Sequence, residues 1–103
     1  MIENSNIFIT KKILIYGLGK SGISSFKFLK KRNQVFLFDD NNQIKLNSYT
    51  KKNLISLSLI KKIKFDLIII SPGINNKKCK LNKFLKKNSK IIYTDLDVFY
   101  SFY

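Results

Sequence analysis

The stretch of residues 13–31, "ILIYGLGKSGISSFKFLKK", constrains the fold of this chain more than any other. An apolar run leads directly into three glycines spaced G-x-G-x-x-G, and apolar residues at helical spacing follow. In such a turn Gly17 permits a sharp change of direction, Gly19 lets a phosphate approach the backbone, and Gly22 lets the helix pack closely on the strand. The pattern predicts a strand over Lys12–Tyr16, a phosphate-binding turn and an amphipathic helix of about three turns.

The residues beside the glycines suit a diphosphate. A helix N-terminus presents unpaired N–H groups and a partial positive charge. Ser21 adds a hydroxyl donor and Lys20 adds a flexible cation at the same place. The turn is therefore expected to bind a nucleotide, with a glycine-rich turn that binds no ligand as the alternative.

Strand and helix patterns alternate along the rest of the chain. The segments "NQVFLFDD", Leu67–Ile70 and "KIIYT" predict strands, and residues 78–87 and the segment that starts at Asp95 predict helices. Residues 41–53 are expected to form a loop, residues 54–57 a short strand and residues 58–64 a short helix. The first helix has its apolar side chains at Ile23, Phe26, Phe28 and Leu29.

The predicted strands are continuously apolar, which is typical of strands that are covered on both faces. The expected fold is α/β: a Rossmann-like doubly wound, mainly parallel sheet of about four to five strands with flanking helices. With 103 residues the chain has room for one such domain, over residues 1–103. It ends on aromatic residues within an expected helix, which indicates a piece of a longer protein.

Parallel α/β sheets bind ligands at the carboxyl ends of their strands. Asp39 ends the second predicted strand, roughly 20 residues past the turn, where an acid can reach a ribose or a base. "SPG" at residues 71–73 ends the third, although proline and glycine also form ordinary turns. Residues 17–22, 39–41 and 71–73 are expected to line one crevice.

The formal net charge of +14 would ordinarily indicate a polyanionic partner. However, 19 of the 20 basic residues are lysines and only Arg32 is an arginine, whereas nucleic-acid sites favour arginine. The chain is also rich in Asn, Ile, Phe and Tyr, which have A/T-rich codons, so a biased genomic composition accounts for the lysines. We therefore expect no nucleic-acid partner and keep a basic nucleic-acid-binding domain as an alternative.

Other features of the composition narrow the class of protein. The chain has no histidine, which removes the commonest general base and zinc ligand, and no metal site is expected. Cys79 is the single cysteine and is expected to be a bystander thiol in a reducing cytoplasm. No apolar run reaches the roughly 20 residues that span a bilayer, and the N-terminus lacks a signal-peptide pattern, so no membrane partner is expected.

Four segments together resemble the N-terminal domain of the Mur ligases: "KKILIYGLGKSGIS", "VFLFDD", "FDLIIISPGI" and "YTDLDVFY". Their order and spacing agree with the family over nearly the whole chain. "DLIIISPGI" and "GLGKSG" together resemble the branch that adds D-glutamate in peptidoglycan synthesis. Two differences lie in the closing segment, where Thr94 replaces a glycine of the family pattern and Asp97 replaces a glutamate.

The resemblance implies that the turn binds the UDP of UDP-N-acetylmuramoyl-L-alanine rather than NAD. It implies that Lys20 and Ser21 lie at the diphosphate. The resemblance also implies that the uracil faces Asp39, Asp40 and Asn41. It implies that the segment that closes over the nucleotide is Ser71, Pro72 and Gly73. Asn41 stands near where the family often has a basic residue against the uracil.

The family ligases use ATP and Mg²⁺, which are bound in a central domain whose P-loop would follow this chain. The resemblance therefore implies a domain that binds no cofactor, carries no catalytic residue and anchors the substrate for the missing ATP-binding and C-terminal domains. The alternative is a regulatory Rossmann module that binds NAD or another nucleotide, with Asp39 on a ribose diol.

Overall fold

The computed structural model describes residues 8–41, 44–74 and 79–102. Within these ranges the strands are β1 (Lys12–Tyr16), β2 (Gln34–Phe38), β3 (Leu67–Ile70) and β4 (Ile92–Thr94). The helices are α1 (Lys20–Leu29), α2 (Ser48–Lys51), α3 (Leu57–Ile60), α4 (Asn82–Lys87) and α5 (Asp95–Phe102), with a 3₁₀ turn at Ser89–Ile91 before β4.

The described strands form one parallel sheet in the order β2-β1-β3-β4. The chain moves outward from β1 to β2 and then crosses back to β3 on the other side of β1. The strand order therefore reverses between β1 and β3, and the carboxyl ends of these two central strands border the crevice where such sheets bind ligands. The predicted Rossmann-like α/β class is confirmed.

The sheet is covered on both faces because successive strand residues point to opposite sides. One core contains Ile13, Ile15 and the side chains that α1 and α5 contribute to it, including Phe26 and Val98. The opposite core contains alternate strand residues, including Leu14, together with side chains of α3 and α4. The continuously apolar strand segments correctly predicted this arrangement.

The pattern of α1 was correct except at one position. Phe26 and Leu29 are buried, and Ile23 is partly buried against the same core. Phe28 is 44 % exposed and meets the ring of Phe102 edge-on, with the ring centroids 4.6 Å apart. It lies beside the buried stripe because about 100° of helical rotation separates it from Leu29 and about 200° from Phe26.

Two predictions for the middle of the chain were wrong. The expected loop over residues 41–53 contains α2, because the Asn47 side chain accepts a hydrogen bond from the Thr50 N–H at 2.8 Å and caps a short turn. Residues 54–57 do not form a strand. Leu54 makes a single parallel bridge to Leu37, and Ser56 then caps α3.

The later boundaries agree more closely. The predicted helix over residues 58–64 is the shorter α3, and the one over residues 78–87 begins at Asn82, with residue 78 outside the described part of the chain. The helix from Asp95 is confirmed as α5. Among the described residues no helix is long and apolar enough to cross a membrane.

Candidate functional site

Three predicted segments meet at the carboxyl edge of the sheet. The Gly17 N–H donates to the Phe38 carbonyl at 2.9 Å, which joins the glycine turn to the end of β2. The Ser71 N–H donates to the Tyr16 carbonyl at 3.0 Å, which joins the end of β3 to the start of the same turn. The three strand ends that the sequence predicted as one crevice are therefore direct neighbours.

Gly17 and Gly22 are required by close packing at this edge. Gly17 has φ +98°, and a Cβ there would lie 2.7 Å from the Ser71 Cβ. A Cβ on Gly22 would lie 1.9 Å from the Gly17 carbonyl oxygen. No side chain fits at either position without moving backbone, so these two glycines shape the turn whether or not it holds a ligand.

Gly19 and Gly73 are open. A Cβ at either position would meet no atom within 4 Å. Gly19 is the N-cap of α1 and has extended backbone, so steric packing does not require a glycine there. A backbone that is left uncovered at a helix N-terminus is available for close contact with an anion.

Lys20 and Ser21 border a cavity of about 480 Å³ that lies between α1 and α5. Asp95, the first residue of α5, lies on the other side of this cavity. One of its carboxylate oxygens, Oδ1, is buried and has no hydrogen-bond partner among the described residues. The cavity therefore holds a cation, a hydroxyl and an acceptor that is free to take a donor.

Asp39 is held by the backbone on both sides of it. Its Oδ2 accepts from the Leu18 N–H at 2.6 Å, and its Oδ1 accepts from the Asn41 N–H at 2.8 Å. The carboxylate thus fixes the glycine turn to the end of β2. Each of its oxygens keeps further lone-pair capacity toward a ligand.

Asp40 has different hydrogen-bond partners from Asp39. Its Oδ1 accepts from the hydroxyl of Tyr16 at 2.5 Å, and its Oδ2 accepts from the Lys80 N–H at 3.3 Å. Tyr16 is fully buried, and burial raises the pKa of its hydroxyl, an effect that the hydrogen bond to Asp40 and the neighbouring Cys79 increase. The hydroxyl therefore stays protonated and acts as a donor to Asp40.

A second, larger cleft of about 850 Å³ lies beside the end of β2. Asp39 and Asn41 form part of its wall, and Phe38 and Ile55 give it apolar surface. The remaining lining residues come from the segments around α2 and α3 and from the segment before α4: Ile44, Lys45, Leu46, Lys51, Leu54, Ser56, Leu57 and Lys80.

The structure thus divides the predicted site residues between two cavities. Lys20 and Ser21 face α5, and Asp39 and Asn41 face the larger cleft. Ser71 is half-buried at the turn between them, and Pro72 and Gly73 are exposed. Within the described part of the chain no group of three His, Cys, Asp or Glu side chains could hold a metal ion.

Sequence reasoning missed three residues at this edge. Tyr16 carried a signal, since a tyrosine that ends an aliphatic strand needs a partner for its hydroxyl. Asp95 was predicted only as the first residue of a helix. Lys80 gave no signal, because it is one of many lysines and only the fold brings it next to Asp40.

The comparison with protein families decides what kind of domain this is. Residues 11–93 match the family described as "Mur ligase MurD-like, N-terminal domain". The chain belongs to this family. The match includes the glycine turn, the end of β2 and the end of β3, and it confirms the resemblance to the D-glutamate-adding Mur ligases.

Curated relatives agree with the family match. A UDP-N-acetylmuramoylalanine–D-glutamate ligase of Buchnera aphidicola subsp. Schizaphis graminum is 41% identical over 89% of this chain and 22% of the relative. Ligases with the same name from Lachnoclostridium phytofermentans and Rickettsia conorii are 35% identical over 65% and 36% identical over 67% of the chain. They are covered over 17% and 14% of their own lengths.

The chain therefore spans about a fifth of the length of the curated relatives that it matches. No solved structure gives a significant match.

Proposed function

We propose that this chain is a nucleotide-anchoring domain that holds the UDP of UDP-N-acetylmuramoyl-L-alanine for the ATP-dependent ligase that adds D-glutamate in peptidoglycan synthesis. One observation carries the proposal. Gly19 is open to solvent at the N-terminus of α1, whereas the other two glycines of the turn, Gly17 and Gly22, are closely packed against protein atoms. An open backbone at that place suits a diphosphate.

The charges and hydroxyls around the turn support the same ligand. Lys20 and Ser21 follow Gly19 and would contact the diphosphate. The larger cleft, which has a polar wall at Asp39 and Asn41 and apolar surface at Phe38, has room for a base and a ribose. Ser71, Pro72 and Gly73 would border the nucleotide from the end of β3.

In this proposal the domain contributes binding and orientation. Energy from contacts with the nucleotide end of a substrate positions its distant reacting group and lowers the entropic part of the barrier. ATP, Mg²⁺ and the reacting carboxylate would be bound by the rest of the ligase, and no residue of this chain would act on them. The setting of this function would be the cytoplasm.

The apolar face of α5 is the surface that we propose to contact the rest of the ligase. Leu96, Phe99 and Tyr100 are 59 %, 51 % and 71 % exposed, and Phe28 of α1 is exposed beside them. Grouped exposed apolar side chains mark interaction surfaces. The curated relatives contain several times more chain than this domain, which is sufficient to cover such a face.

Calorimetric titration of the chain with UDP tests the proposal. The substitution Gly19→Val adds a side chain where the diphosphate would lie, in space that is empty without ligand, so the domain should stay folded. We expect at least about a tenfold weaker binding of UDP, the size of losing a hydrogen bond to a charged group. Unchanged binding in a variant with an unchanged circular dichroism spectrum would refute the phosphate role of the turn.

The same titration with NAD separates the proposal from its alternative. A regulatory dinucleotide-binding module would bind NAD more tightly than UDP. The UDP-anchoring domain should bind UDP with the higher affinity.

A further inference from the structure

Among the described hydrogen bonds, Lys80 is the lysine of the large cleft whose backbone N–H donates to a carboxylate. Its N–H donates to Asp40 Oδ2, and Asp40 Oδ1 accepts from the buried hydroxyl of Tyr16. Tyr16 belongs to β1 and Asp40 follows β2, so the start of the α4 segment is tied to two neighbouring strands. This connection fixes the Lys80 backbone at the edge of the cleft.

The hydroxyl of Tyr16 always has a proton to donate to Asp40. It is buried and its pKa is raised, so it stays protonated over the whole physiological range. A neutral donor that is locked by core packing holds the Asp40 carboxylate in one orientation. The carboxylate in turn directs its second oxygen at the Lys80 N–H.

Lys80 lines the cleft that Asp39, Asn41 and Phe38 also line. Phe38 supplies an apolar surface of the kind that a planar base packs against, and Asp39 and Asn41 supply polar groups. A base bound there would present carbonyl oxygens, which accept hydrogen bonds from an ammonium group. The ammonium of Lys80 is a suitable donor to them.

We propose that Lys80 is a nucleoside-binding residue of this site, and that Tyr16 and Asp40 are positioning residues that act through it. The inference rests on the proposed function, because it assigns the large cleft to the base and ribose of a uridine nucleotide. It gives Asp40 a role in holding Lys80 rather than in direct contact with the uracil.

The test compares the affinities of the full chain and of its variants for uridine monophosphate, UDP and pyrophosphate. Lys80→Gln removes the charge and shortens the side chain by one atom, and Lys61→Gln, in a groove on another part of the surface, makes the same change. We expect Lys80→Gln to weaken both uridine nucleotides about three- to tenfold and pyrophosphate less than about twofold. Lys61→Gln should change all three affinities less than about twofold.

A double-mutant cycle with Tyr16→Phe tests the anchor. Phenylalanine keeps the ring packing and removes the hydroxyl, which donates to Asp40 and neighbours Cys79. If Tyr16 acts through Lys80, Tyr16→Phe alone weakens UDP about threefold, and Lys80→Gln costs less in the Tyr16→Phe background than in the wild type. Independent, additive losses would overturn the positioning role.

The outcomes separate the two proposals. A wild-type chain that binds no UDP contradicts the proposed function and this inference with it. Wild-type binding of UDP with equal effects of Lys80→Gln and Lys61→Gln contradicts this inference alone. If Lys80→Gln weakens the binding of pyrophosphate as much as that of the uridine nucleotides, Lys80 lies at the phosphates, and its assignment to the nucleoside is overturned.

Discussion

At the scale of single residues, the four glycines of the chain divide into two kinds. Gly17 and Gly22 are fixed by contacts within the protein, whereas Gly19 and Gly73 face open space. The spacing G-x-G-x-x-G predicted a sharp turn at Gly17 and close helix packing at Gly22, and it left Gly19 for a ligand. It did not predict that Gly17 lies against Ser71, which is distant in sequence.

This difference predicts that alanine destabilises the domain at Gly22 and has little effect at Gly73. Gly22→Ala should lower the free energy of unfolding by about 3 kcal/mol, because its Cβ would lie 1.9 Å from the Gly17 carbonyl oxygen and the backbone must move. Gly73→Ala, the matched control, meets no atom within 4 Å and should change it by less than about 0.5 kcal/mol. Urea unfolding followed by circular dichroism measures both, and equal effects would contradict the close packing at Gly22.

At the scale of elements, the start of α5 is fixed by a reciprocal cap. The Thr94 Oγ1 accepts from the Asp97 N–H at 3.3 Å, and the Asp97 carboxylate accepts from the Thr94 N–H at 2.8 Å. This is the capping-box arrangement, with aspartate in the position that glutamate often takes. The two residues that differ from the family pattern therefore hydrogen-bond to each other and together cap α5.

The cap predicts a measurable loss on substitution. Thr94→Ala removes the Oγ1 acceptor and should destabilise the domain by about 1 kcal/mol, or about 4–8 °C in Tm for a domain of this size. Thr94→Ser keeps the hydroxyl and should stay within about 2 °C of the wild type. Thermal unfolding by circular dichroism gives both values; a Thr94→Ser variant as unstable as Thr94→Ala would show that the methyl packing, and not the cap, holds α5.

The sequence predicted the strands and long helices because their apolar periodicity is strong. It missed α2, since that turn depends on a hydrogen bond from the Thr50 N–H to the Asn47 side chain in a polar segment without periodicity. It mistook residues 54–57 for a strand because a short apolar run does not distinguish a strand from a helix start. For the site, it predicted the three strand ends but not the Tyr16–Asp40–Lys80 connection, which only long-range contacts create.

At the scale of the whole molecule, one end of the domain exposes apolar surface next to the proposed diphosphate cavity. Phe99 lines that cavity together with Lys20 and Ser21, and it is also part of the exposed α5 face. A partner that covers this face would therefore also border the cavity. The position of the face favours a shared site between this domain and the remainder of the ligase.

This arrangement predicts that one substitution on the α5 face weakens association with the rest of the ligase without lowering the stability of the isolated chain. Leu96→Ser, on the outer side of α5, should leave the unfolding free energy of the isolated chain within about 0.5 kcal/mol, because the side chain is 59 % exposed. It should weaken association with the remaining ligase domains, added as a separate chain, at least about threefold. Lys90→Ser, an exposed change on the 3₁₀ turn before β4, is the control; equal association of both variants would contradict the role of the α5 face.

The most direct test of the account is a nitrogen-15 NMR titration of the 103-residue chain at moderate salt, first with UDP and then with NAD. If the domain anchors UDP, we expect UDP to shift the amides of Gly19, Ser21, Asp39 and Gly73, and NAD to leave them in place at equal concentration. Stronger shifts with NAD than with UDP, or UDP shifts confined to lysine-rich surfaces away from the turn, would contradict it.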